Sequence, residues 1–135
     1  MRLHHHFDPQ RFMAPGDAAE SGYEWFLSTQ ISEEDVAVFV ADLDGHAVGY
    51  VYAGIELRSW KELRDECGFI HDVVVEEQGR GMGVATALIE TAVEWLASRG
   101  MPRVVLGTAE QNTSAQRLFT RLGFRRTMVE MTREL

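Results

Sequence analysis

Several shortages in this chain narrow what it can be. It has one cysteine, Cys67, so neither an intramolecular disulfide nor a Cys-x-x-Cys pair for zinc or redox chemistry can form, and a reducing, cytoplasmic setting is expected. No apolar run approaches the roughly 18 to 20 residues needed to cross a bilayer. The opening Met1-Arg2-Leu3-His4-His5-His6 lacks the apolar centre of a signal peptide, so neither membrane attachment nor export is expected. Cationic side chains are also scarce, with 13 Lys and Arg against 21 Asp and Glu and a net charge of −8. Nucleic-acid binding through a broad basic face is therefore excluded, and a cationic or amine-bearing partner is favoured. Lys61 is the only lysine.

What is present suffices for a globular protein. The 135 residues are 45% hydrophobic and 25% charged, which predicts one domain over residues 1–135 with a real core. Met1 to Gly16 has no sustained period and is broken by Pro9, Pro15 and Gly16, so it reads as an arm or loop. The run His4 to His6 is a tag remnant, a polar turn or a metal site. Three adjacent histidines cannot all face one ion, so no metal is expected. Asp17 is a plausible N-cap for an amphipathic helix over Ala18 to Gln30.

Asp35 to Leu43 and Ala47 to Leu57 are rich in Val, Phe, Tyr and Ile, and the Asp44-Gly45 joint between them predicts a hairpin. Arg58 to Cys67 reads as an exposed loop or short helix. Gly68 to Val75 is strand-like, and alternation places Phe69, His71, Val73 and Val75 on one face with Asp72 on the other. Gln78-Gly79-Arg80-Gly81-Met82-Gly83 then turns directly into a helix that ends near Arg99-Gly100. Arg103 to Thr108 reads as a strand, Thr113 to Leu122 as a helix stopped by Gly123, and Phe124 to Leu135 as a final strand. A hairpin followed by a strand–turn–helix–strand crossover predicts an α+β fold with a mixed sheet.

A strand that feeds a glycine-rich turn and a helix N-terminus can hold phosphate, because bare backbone N–H groups approach the anion in a region of positive potential. Such a turn here spans Arg80 to Thr86. A Walker loop would end in Gly-Lys-Ser/Thr, which a chain whose single lysine is Lys61 lacks. A dinucleotide fingerprint fits poorly, because Gly79 and Gly81 lead to Val84 and the turn follows a hairpin. The run Arg80-Gly81-Met82-Gly83-Val84-Ala85 resembles the Gln/Arg-x-x-Gly-x-Gly/Ala signature of the Gcn5-related N-acetyltransferases (GNAT), with Arg80, Gly83 and Ala85 at the defining positions. A frame starting at Gln78 also fits; the Arg80 frame has the better spacing from the strand. A second block, Asn112 to Phe119 followed by Leu122-Gly123-Phe124, is similar to that family's later motif Asn-x-x-Ala-x-x-Leu-Tyr-x-x-x-Gly-Phe. The likeness runs from Asp35 to the C-terminus.

The resemblance implies a mixed, mostly antiparallel twisted sheet flanked by helices, with a splayed strand pair that binds acetyl-CoA. It implies direct transfer of the acetyl group to a primary amine of a small molecule or peptide. Val73, Val74 and Val75 would pair with the pantetheine, and Arg80, Gly81, Met82, Gly83, Val84, Ala85 and Thr86 would hold the pyrophosphate. Asn112 would reach the pantetheine or cap its helix, and Phe119 would pack on the coenzyme arm or in the core. An ammonium must lose a proton before it attacks a thioester, so a base is required. His71 is the candidate, since an imidazole ordinarily titrates near pH 6.5; Asp72 is the alternative. Tyr23, Phe26 and Trp60 are the candidates for acceptor contact. Cys67 is not expected to carry the acetyl group.

Two departures from the family pattern bear on function. No strand precedes the first helix, as though the start were shortened or a second chain covered the sheet edge; a homodimer is one way to cover it. The family's usual proton-donating tyrosine falls at Phe119, which has no proton to give. A CoA-binding module without catalysis, and an interaction subunit completed by a partner chain, are therefore the rival readings.

Overall fold

The computed structural model describes residues 2–135, and Met1 lies outside the described residues. By its contacts the chain divides into two compact units: Ser28–Gly107, and the residues up to Leu27 together with Thr108–Leu135.

The Ser28–Gly107 unit is built on a sheet of four strands: β1 (Val36–Leu43), β2 (His46–Glu56), β3 (Cys67–Val75) and β4 (Val104–Leu106), in that spatial order. The first two pairings are antiparallel and the last is parallel, the mixed sheet that a hairpin followed by a crossover requires. Asp44 and Gly45 join β1 to β2 with φ of 51° and 83°. Two successive positive φ values match the strand twist and close the hairpin in two residues.

Helix α3 (Val84–Ser98) packs across β1, β2 and β3. Its Leu88, Ile89, Ala92 and Leu96 are buried, and so are Val51, Ala53 and Ile70 from the sheet. Phe39 meets Trp95 edge to face at 6.4 Å. Glycines let the helix and the ladder close together: a Cβ on Gly68 would lie 2.8 Å from Leu96 Cδ1, and one on Gly49 would lie 2.5 Å from the carbonyl oxygen of Val74. At the far end of α3 the Arg99 guanidinium donates to the Glu34 carbonyl and to the Asp35 carboxylate, both at 2.8 Å.

Register is broken at the centre of the sheet. Tyr52 pairs with Asp72 and Ala53 with Ile70, so His71 is an extra residue in β3, a β-bulge. β4 pairs with β3 only at Gly68, Phe69 and Ile70. From His71 to Val75 the side of β3 that faced β4 carries no strand among the described residues.

The other unit contains α1 (Arg2–Phe7), the first part of α2 (Asp17–Gln30), α4 (Thr113–Arg121) and the C-terminal segment. The expected arm thus contains a short helix. From this helix, His4 stacks on Phe12 at 5.0 Å and His5 Nδ1 bonds the Phe12 carbonyl at 3.1 Å. Arg11 pairs with Glu130 across 119 residues of sequence, and its guanidinium holds the Glu130 carboxyl below the usual carboxylate range. The expected strand over residues 124–135 is not formed. Its alternating residues Met128, Val129 and Met131 are exposed, and an alternating sequence becomes a strand only where another strand meets its hydrogen-bonding edge. No helix among the described residues is long and apolar enough to cross a membrane.

Replacing Gly49 by Ala should force the β2–β3 ladder apart at a backbone oxygen, costing about 1–3 kcal/mol. Urea denaturation of the variant checks this, and an unchanged midpoint would show that the close approach is not required.

Candidate functional site

The glycine-rich turn has the geometry of an anion cradle. Glu77–Gly79 form a single 3-10 turn, and Arg80 leaves it extended, its Nε 3.4 Å from the Val75 carbonyl. Gly79 is buried, and a Cβ there would meet Val48 and Val75 at 3.1–3.2 Å. Gly81 and Gly83 differ, because both have φ of +75° with nothing within 4 Å of a would-be Cβ. Backbone conformation requires glycine at these two positions, and crowding does not. Gly83 is the residue before α3 and has no side chain to cap it. The first intrahelical bond runs from Ala87 N–H to the Gly83 carbonyl at 3.0 Å, so the N–H groups of Val84, Ala85 and Thr86 have no acceptor within the helix. Met82 is 60% exposed at the tip of the turn.

Upstream of this turn, the bulge decides which side chains meet. Uninterrupted alternation puts His71 with Val73 and Val75, and Asp72 opposite. In the structure the extra residue turns both His71 and Asp72 to the face that α3 does not cover. Val73 and Val75 go to the helix side, opposite Val51 and Gly49 in the ladder, because a classic bulge presents two successive side chains on one face.

On the open face, Tyr50 donates to Asp72 Oδ2 at 2.8 Å, and Tyr52 donates to Gln30 Oε1 at 3.0 Å. His71 Nε2 lies 2.8 Å from Glu56 Oε1. The imidazole stacks on Phe69 and leans on Tyr52, with ring centroids 4.8 Å apart in each pair. The His71 side chain is 27% exposed. Burial, and secondarily the Glu56 charge, pushes the Tyr52 phenol up from its usual value of 10.0, so it remains a neutral donor at neutral pH.

The remaining expected residues have these settings. Asn112 caps α4 by accepting from the Ala115 N–H at 3.2 Å, which is the helix-cap role. Phe119 is buried and meets Phe124 edge to face at 6.0 Å. Tyr23 and Phe26 are neighbours on α2 with centroids 6.3 Å apart. Trp60 lies on the β2–β3 loop, 79% exposed, with the Arg58 guanidinium 5.7 Å from its ring. Cys67 is buried, with Arg64 Nη1 3.0 Å from its sulfur. Among the described residues no three His, Cys, Asp or Glu side chains are grouped to hold a metal ion.

Glu56, Tyr50 and Gln30 were not anticipated. Tyr50 and Glu56 lie on β2 at the spacing of residues that share one strand face, but only the register with β3 says what they meet.

Comparison with known proteins places this geometry. The model of the acetyltransferase (GNAT) family matches residues 2–124. An uncharacterized N-acetyltransferase of Methanocaldococcus jannaschii is 33% identical over 100 residues, 74% of this chain and 44% of its own length. The streptothricin acetyltransferase of Escherichia coli is 37% identical over 100 residues, 73% of this chain and 53% of its own length. The matched segment thus spans about half of these relatives. Aminoglycoside N-acetyltransferase AAC(6')-Iy, solved with the bisubstrate analog CoA-S-monomethyl-acetylneamine, superposes with a TM-score of 0.71 at 25% identity, covering 97% of this chain and 86% of its own.

Because its ionisation is suppressed, Tyr52 should add a component above the usual tyrosine value of 10.0 to an alkaline ultraviolet titration. The sign is that of a raised pKa: the stability it reports is complete below pH ~10 and is lost as pH rises through the folded value. Tyr52→Phe should diminish the late component, and an undiminished one would assign the shift to another tyrosine.

Proposed function

Because the chain belongs to the acetyltransferase (GNAT) family, we propose that it transfers the acetyl group of acetyl-CoA directly to a primary amine of a small molecule or a peptide. The observation that carries this reading is the end of β3–β4 pairing at Ile70 and Leu106, followed along β3 by the left-handed glycines before α3. A free strand edge and an uncapped helix start suit the two ends of one ligand: an amide-bearing arm and a pyrophosphate.

Within this reading the backbone of Val73, Val74 and Val75 pairs with the pantetheine amides. The turn from Arg80 through Gly81, Met82 and Gly83 wraps the pyrophosphate, and the N–H groups of Val84, Ala85 and Thr86 donate to it at the positive end of α3. Asn112 and Phe119 are assigned to the coenzyme arm, and Tyr23, Phe26 and Trp60 to the acceptor. Bound acetyl-CoA supplies a thioester carbonyl, from which an amine displaces the thiolate. A backbone N–H of β3 polarises that carbonyl. His71 takes the proton that the acceptor must lose, and Asp72, held by Tyr50, orients its surroundings. Phe119 has no proton for the leaving thiolate, so solvent protonates it. The single buried thiol, Cys67, suits a reducing cytoplasm.

The test uses two variants at one position. Gly83→Ala carries only the cost of a left-handed residue, about 1–2 kcal/mol, and should bind acetyl-CoA within about threefold of the parent by calorimetry. Gly83→Glu sets a carboxylate against the pyrophosphate and should lose at least about a hundredfold, a difference of ~2.7 kcal/mol. Thiol release is then followed with neamine, streptothricin and a peptide with a free α-amino group. Binding without turnover on any of them would support a coenzyme-binding module, and no binding by the folded parent would overturn the reading.

A further inference from the structure

We propose that Glu56 is the positioning residue of the His71 base, a carboxylate–imidazole pair assembled by the bulge in β3. The inference rests on the acetyl-transfer reading above and adds a residue from a different strand to it. Glu56 is the last residue of β2 and pairs in the ladder with Cys67, yet its carboxylate passes along the open face to His71 Nε2, 2.8 Å away. Gly54 lies between Glu56 and Tyr52 on that face, and a Cβ there would sit 3.6 Å from His71 Nε2. Phe69 stacks on the ring at 17° and Tyr52 leans on it at 31°, which restricts its rotation about the Nε2 contact.

The chemistry follows from which nitrogen is engaged. A carboxylate at Nε2 accepts, so Nε2 carries the proton and Nδ1 keeps the lone pair. Nδ1 has no hydrogen-bond partner among the described residues. In the transfer, the acceptor ammonium gives one proton to Nδ1. The nitrogen lone pair so released bonds to the acetyl carbon, the carbon–sulfur bond breaks, the nitrogen gives its second proton to solvent to leave the neutral amide, and the thiolate takes a proton from solvent. The imidazole becomes a cation with protons on both nitrogens, and Glu56 stabilises that cation as it forms, the part a buried carboxylate plays toward a catalytic histidine in hydrolytic triads. The other titratable groups facing the ring are Asp72, already accepting from Tyr50, and Tyr52, whose hydroxyl donates to Gln30. Glu56 is therefore the carboxylate in direct contact with the ring.

The experiment has a substrate-free arm and a kinetic arm. In proton NMR at low temperature the parent should show a downfield Nε2–H line assigned by its loss in His71→Ala. Glu56→Gln, which keeps an acceptor, should retain the line less displaced, and Glu56→Ala should lose it. Persistence of the line in Glu56→Ala would overturn the pairing without reference to any reaction. In the kinetic arm, with acetyl-CoA and whichever of the three amines above releases thiol fastest, Glu56→Ala should lower kcat about ten- to a hundredfold. KM for acetyl-CoA should stay within about twofold, and Glu56→Gln should fall between parent and Glu56→Ala. Adding Glu56→Ala to His71→Ala should cost almost nothing further, because the carboxylate acts through the ring. An equal loss in both backgrounds would overturn the role of Glu56 and leave His71 as the base. Full turnover by His71→Ala would overturn the base itself, and the role of Glu56 with it, whatever the NMR line shows.

Discussion

The site depends on one extra residue in one strand. His71 is inserted into β3 opposite the consecutive residues Tyr52 and Ala53 of β2, and it directly follows Ile70, the last residue that β3 shares with β4. Insertion of a residue bends a strand and increases its twist. At this place it does three things together: it ends the parallel ladder, frees one edge of the following residues, and turns two successive polar side chains to the same face. A sheet with regular alternation would have continued the β4 pairing and buried either His71 or Asp72 under α3.

The rest of the Ser28–Gly107 unit holds this irregular strand in place. Behind it, Leu88, Ile89, Ala92 and Leu96 form a dry contact with Val51, Ala53 and Ile70, made close by Gly49 and Gly68. Directly after it, the chain turns through Gly81 and Gly83 into α3. The helix that supplies the core contact is thus the same helix whose N-terminus faces the turn. Packing and the proposed anion cradle share one element, so the position of the cradle relative to the free strand edge is fixed by the core.

Much of this was legible in the residues because the signals were local. The Asp44-Gly45 joint, the glycine turn and the Asn112 cap each depend on backbone preferences of a few neighbouring residues, and each forms where its residues predict. The bulge was not legible, because nothing in Phe69-Ile70-His71-Asp72-Val73 departs from a plausible strand, and the insertion is defined only by what Tyr52 and Ala53 pair with. Assigning Asp72 to the far face followed from correct periodicity in the wrong register. Glu56 was invisible for the same reason, as a polar residue at a strand end whose partner lies on another strand. The C-terminal segment failed in the opposite direction: Phe124 to Leu135 alternates as a strand does, and no strand among the described residues pairs with it.

The proposed acetyl transfer requires that one ligand engage the free edge of β3 and the start of α3 together. Backbone amide hydrogen exchange, with and without saturating acetyl-CoA, reads both segments in one experiment. The account predicts added protection at Val73, Val74 and Val75 and at Gly83 to Thr86 on binding, with β1 unchanged. Protection confined to the turn, with the β3 edge exchanging as before, would contradict it.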